Sequence, residues 1–354
     1  MIAGGSVAVL VSTGFAVRQM VAWRAAEAAE RVCPPRPPRA SAEARGTPSD
    51  RNVSPLATTG QIFVSHAWSR RVSIIDLATG KVTTLPAGIG DAHEVGVSGD
   101  GRWGVAADFG DYVGDYKFDG RRLAVFDLRH KRAARVIDLA EHRGPHDVVF
   151  LPGSPARALV TTQTSEHVIE VDVETGAVVA AIPTRAKGSH TLAVPADGSR
   201  AFTANEAEGS VSVLDLRQRT FVTKFTLGPA PAEGIAVTPD GREVWVGFRD
   251  DTVVRVADAT TGAVLATLPG FVRPDRIAIS PDGRRALITD WSCELVQVVD
   301  VPTRRVLGAI AGLEGAGVAK VLPDNRLAVI AMLDDTGSVL VRYDPRKCHR
   351  PLPT

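Results

Sequence analysis

Along this chain, apolar and polar positions alternate in short runs, and the pattern is clearest between Gly234 and Gly270. Ile235–Thr238 ends at Pro239, Asp240 and Gly241. Glu243–Phe248 ends at Arg249 and two aspartates. Thr252–Ala257 ends in the turn Asp258–Gly262, and Ala263–Leu268 ends at Pro269 and Gly270. Alternation of period two, β-branched residues and Gly/Pro/Asp punctuation predict four short antiparallel strands joined by tight turns. One such sheet cannot bury both of its faces, so the pattern requires copies on either side.

Those copies are present. The turn after the first strand recurs at Gly99–Gly101, Pro152–Gly153, Asp197–Gly198, Asp240–Gly241, Asp282–Gly283 and Asp324–Asn325. The Asp closing the third strand recurs as Asp76, Asp127, Asp172, Asp215, Asp258, Asp300 and Asp344, at spacings of 51, 45, 43, 43, 42 and 44. Four strands repeated with a period in the low forties predict an all-β, seven-bladed β-propeller of four-stranded antiparallel blades. The repeated Asp has a structural role in this reading. Its carboxylate caps the N–H groups of the turn to the outer strand, and the turn Gly takes the positive φ.

The units resemble the YVTN-type repeats of bacterial surface and periplasmic β-propellers. The likeness is carried by GIAVTPDGREVWVGF (234–248), RIAISPDGRRALITD (276–290), SRAFTANEAEGSVSVLDL (199–216) and RRVSIIDLATGKVTTL (70–85), and it extends over about residues 52–344. No blade carries the literal YVTN; Phe202–Asn205 comes closest. The resemblance implies the fold and leaves function open, because propellers of this kind carry binding, scaffold and enzyme roles.

The ends depart from the repeat. Residues 1–33 read as a signal- or anchor-like apolar and helical segment, 34–50 as a Pro-rich linker, 51–346 as the propeller and 347–354 as a tail. Residues 2–23 are largely apolar, but Arg18 and Arg24 follow the run and no basic residue precedes it, an imperfect export signal. The expected location is periplasmic or extracellular, with membrane anchoring through residues 2–23 as a variant of that reading. Asn52–Thr59 is the expected first strand of blade 1, and no fourth strand is evident for blade 7. Cys33 and Cys348 flank this seam and are expected to pair in an oxidising compartment, leaving Cys293 free and partly buried in blade 6. The net charge of +1 gives no electrostatic basis for nucleic-acid binding. A monomer is expected.

Candidate chemistry lies where the repeat is broken. The positions entering the first strands carry His93, His146 and His190 in three successive blades, then Glu233 and Asp275. The second strands exit at His66, Asp108, Gln163, Asn205 with Glu206, Arg249, Asp290 and Met332. In a propeller these loops ring one mouth of the central channel. Neutral imidazoles with carboxylates in a concave site suit Zn²⁺ or Cu²⁺. His93, His146, His190 and His66 are therefore the candidate metal ligands, with a divalent transition metal as cofactor. Phe109–Gly120 lengthens one loop of blade 2 on that face and reads as a lid or ligand-contacting wall.

Nothing else in the chain points to a reaction. It has no nucleophile elbow, phosphate-binding loop, dinucleotide fingerprint or covalent haem motif. The expected function is an exported propeller that binds a small molecule or protein partner at the His/acid mouth, with a metal. The alternative is a metal-dependent lyase or hydrolase, by analogy of fold with streptogramin lyases and peptide-amidating lyases. In that alternative Glu233 or Asp275 is the base or a further metal ligand, and Tyr112 or Tyr116 touches the substrate. A haem- or quinone-associated redox propeller is disfavoured by the missing attachment motif.

Overall fold

The computed structural model describes residues 60–66, 69–114, 117–228, 231–311 and 316–321, together with the backbone of the strands Val7–Leu10, Ala44–Gly46, Leu327–Met332 and Ser338–Arg342. These form seven four-stranded sheets and one small hairpin, the seven-bladed propeller read from the repeat. Blade 5 is the unit that sets the pattern. Its strands are Ala232–Val237, Glu243–Phe248, Val254–Asp258 and Val264–Leu268, each paired antiparallel with the next.

The second and third strands are buried along almost their whole length, and the fourth strands face solvent. Val, Ile and Phe from adjoining blades fill the space between sheets; Phe63, Phe126, Phe202, Trp245 and Phe248 are fully buried there. Trp245 thus packs in the core against blade 6 residues such as Ile277 and Ile288. The turn aspartates cap as expected. Asp76, Asp172 and Asp258 each accept the N–H of the Thr three residues on, at 2.9, 2.8 and 2.8 Å, and Gly262 takes a φ of 73°.

The ring closes differently from the sequence-based expectation. The innermost strand of blade 1 is Val7–Leu10, which runs parallel to Gln61–Val64 and touches the inner strands of blades 2 and 7. The outer strand of blade 7 is Ala44–Gly46, antiparallel to Ser338–Leu340. The expected strand Asn52–Thr59 lies outside the described residues. Both strands that complete the seam come from segments read as leader and linker, so the chain's early part is drawn into the ring. Pairing both ends removes two open sheet edges.

Cys293 is also a correction. It is buried and disulfide-bonded, not free. Cys33 and Cys348, expected to pair with each other, lie outside the described residues. Among the described residues, no helix is long and apolar enough to cross a membrane.

Candidate functional site

Six inner strands carry a β-bulge where they enter the ring: at Ala92–Val95, Pro145–Val148, Ser189–Thr191, Ala232–Gly234, Pro274–Ile277 and Ala316–Val318. A bulge sets two residues against one and re-aims a side chain out of the pleat. The residues inside these bulges include His93, His146, His190, Glu233 and Asp275. The inner strands must also approach closely. A Cβ at Gly234 would lie 1.9 Å from the Asp275 carbonyl oxygen, so only glycine fits beside Glu233.

The result is a single buried pocket of about 60 Å³ lined by those five residues with Phe109, Phe118, Glu206, Arg249 and Arg276. His93, His146 and His190 form a row, with ring centroids 4.7 and 3.8 Å apart. Phe109 packs on the first two at 4.5 and 4.6 Å. His93 donates from Nδ1 to Asp91 Oδ2 at 3.2 Å, and His190 donates from Nδ1 to the Glu233 carbonyl at 3.2 Å. Both bonds leave the Nε2 lone pair available. His146 is wholly buried, and among the described residues neither of its ring nitrogens has a hydrogen-bond partner.

The acids on the other side are held by two arginines. Arg249 pairs with Glu206 and, at 3.1 Å, with Glu233. Arg276 binds Asp275 at 2.8 Å, Glu233 at 3.1 Å and Glu94 at 3.1 Å. Gln163 donates to Glu206 at 3.1 Å. His190, Glu206 and Glu233 have ligating atoms within 4.8 Å of one another, and among the described residues they are the one such trio.

Burial dominates the electrostatics. It pushes the Asp275 carboxyl up to about 7 against the pull of Arg276, and Asp147 up to about 6 with Glu94 adding to the shift. Glu233 is also desolvated, but Arg249, His190 and Arg276 outweigh burial and hold it well below the usual carboxylate range. Burial holds His146 far below the ordinary imidazole value, reinforced by His190 and His93, and it lowers His190 too. Both rings are therefore neutral, the form in which imidazole ligates a metal.

Not every candidate is in the pocket. His66 is bonded through Nε2 to Ser73 Oγ at 2.9 Å on its own blade and does not line the site. Other strand exits, Glu206 and Arg249, do reach the pocket, so the difference lies in the Ser73 contact that holds the His66 ring on its own blade. Tyr112 is 38% exposed on the hairpin Tyr112–Gly114/Lys117–Phe118, and Tyr116 lies outside the described residues. Glu233, clamped between two guanidinium groups, is unsuited to act as a base. The sequence reading assigned no role to Arg276, and it placed Phe109 and Phe118 only within the loop read as a lid or ligand-contacting wall. Arg276 sits beside Asp275 at the inner-strand entry, which was the available signal.

The model of the YNCE-like beta-propeller family matches residues 47–321. The chain belongs to this family. Solved structures share the fold of this YNCE-like beta-propeller. Hydrazine synthase of Kuenenia stuttgartiensis matches with a TM-score of 0.68 and 14% identity, covering 88% of this chain and 99% of that one. The Cps50 (Swd1) β-propeller domain of Myceliophteria thermophila matches with a TM-score of 0.59 and 17% identity, covering 76% and 89%. At these identities the likeness is one of fold. No curated protein matches the chain.

Proposed function

We propose that this YNCE-like propeller is an exported binding protein whose ligand at the His/acid mouth is a divalent transition metal of the Zn²⁺ or Cu²⁺ type. The observation that carries the reading is His146, buried with both nitrogens unpartnered between two histidines whose Nδ1–H groups are already committed. A metal-bound histidine commonly gives its second N–H to a carboxylate or carbonyl, as His93 and His190 do. An unsatisfied buried polar group costs about 1–3 kcal/mol, which coordination would offset. Four carboxylates, Glu94, Glu206, Glu233 and Asp275, face two guanidinium groups in this network, and a cation would relieve that imbalance. The pocket volume of about 60 Å³ suits an ion with a few waters and not an organic molecule. Disulfide-bonded Cys293 favours an oxidising, exported location.

Titration calorimetry of chelator-stripped protein with Zn²⁺ and Cu²⁺ tests this. The wild type and His66→Ala should bind one ion, and His146→Ala should not. Absence of binding to the wild type contradicts the proposal.

Asp275 favours a second reading, a metal-dependent lyase or hydrolase. Its carboxyl, pushed up to about 7, is placed to move a proton near neutral pH. This reading requires turnover of a small-molecule substrate that is lost in Asp275→Asn while metal binding persists.

A further inference from the structure

A second cavity, of about 470 Å³, opens on the same face, between the loops of blades 1 and 2 and the hairpin that extends blade 2. Its size falls in the usual range for small-molecule sites. Its charged groups divide into two sets. Arg122 is paired with Asp108 at 2.9 Å and Arg121 with Asp138 at 3.4 Å, so these cancel. Asp91 accepts a hydrogen bond from His93 Nδ1, an ion pair only when that imidazole is protonated. Four groups remain: Arg70, Arg143, Asp111 and Asp119 line the cavity, and none has an ionic partner among the described residues. The Asp119 carboxylate accepts the Asp111 backbone N–H, at 2.8 Å.

We propose that this outer cavity binds a small zwitterion, an α-amino acid or a short peptide. A purely anionic ligand would meet two uncompensated carboxylates, and a purely cationic one would meet two uncompensated guanidinium groups. A molecule carrying both signs satisfies both sets. Guanidinium forks match a carboxylate, and carboxylates accept from an ammonium.

The wall between the cavities gives the outer site its importance. Phe109 and Phe118 face the histidine pocket, while Gly110, Asp111, Asp119 and Gly120 line the outer cavity. The base of this wall is tightly packed; a Cβ on Gly120 would lie 1.8 Å from the Asp108 carbonyl oxygen. Asp91 lines the outer cavity and bonds His93, which lines the inner pocket. An occupant of the outer cavity therefore sits one residue away from the histidine row.

The test uses full-length, chelator-treated protein, so its result is independent of metal binding. Alanyl-alanine and L-glutamine are titrated by calorimetry, with acetate and ethylammonium as single-charge controls. The zwitterions should bind and the controls should not. Arg143→Ala and Asp111→Asn should each weaken binding about tenfold, the loss of one charge-assisted hydrogen bond. Circular dichroism melts of both variants should match the wild type. The proposal is overturned if neither zwitterion binds, if acetate binds as tightly, or if neither substitution changes the affinity.

Discussion

Arg276, on the inner strand of blade 6, donates from Nη2 to Glu94 Oε1 on the inner strand of blade 2 at 3.1 Å, although 182 residues separate them. The same guanidinium binds Glu233 and Asp275, so one side chain ties three blades together at the channel mouth. Arg276→Met would leave these acids buried without their cation. Breaking such a network costs about 3–5 kcal/mol, and urea unfolding should show a loss of that order. Glu94→Gln in the same chain should recover part of it.

The turn aspartates make an acid-sensitive contribution. Asp76 and Asp172 are held below the ordinary carboxylate value, first by the backbone N–H of Thr79 and Thr175 respectively. Their folded pKa lies below the unfolded one. The stability they contribute is therefore present above about 3.8 and is lost as pH falls through the folded value. Each sits at the solvent boundary, half-buried, so solvent screening keeps each effect small. Asp76→Asn combined with Asp172→Asn should lower the melting temperature at pH 6 and leave it nearly unchanged near pH 2.

Phe118 lines the histidine pocket from the blade 2 hairpin. Its ring stacks on Phe109 at 3.6 Å, and a single hydroxyl, Thr164 Oγ1, accepts its N–H at 2.7 Å and donates to its carbonyl at 2.8 Å. Phe118→Ala should speed Zn²⁺ uptake in stopped-flow measurements by an order of magnitude or more. Thr164→Val should have a smaller effect in the same direction. Unchanged rates in both would show that the hairpin does not cover the entry path.

Cys293, in blade 6, is disulfide-bonded. Non-reducing peptide mapping should recover Cys293 joined to a peptide containing Cys33 or Cys348. Cys293→Ser should cost about 2–5 kcal/mol of stability.

The repeat made the blades legible. The Asp at the end of each third strand and the Asp–Gly corners do the same job in every copy, so spacing alone located them. The first-strand entries were legible as well. His93, His146, His190, Glu233 and Asp275 were aligned by the ruler, and the structure brings them into one pocket. Other features depend on three-dimensional detail. The bulges that turn these residues inward break the period-two pattern by one residue, too little to separate from an irregular loop. Arg276 and Glu94 meet only because the ring closes. His66 shared the polar character of the others but lies at a strand exit, where Ser73 takes its Nε2. At the seam, Val7–Leu10 looked like part of an apolar leader, because four residues are too few to show alternation.

The central claim is that the row of histidines holds a transition metal, and anomalous diffraction tests it most directly. Crystals grown with Zn²⁺ and measured on both sides of the zinc edge should show one strong peak within bonding distance of His146 and His190. A peak only elsewhere, such as at the His142–His167 pair or at His66, or no peak at full Zn²⁺ loading, would contradict the account.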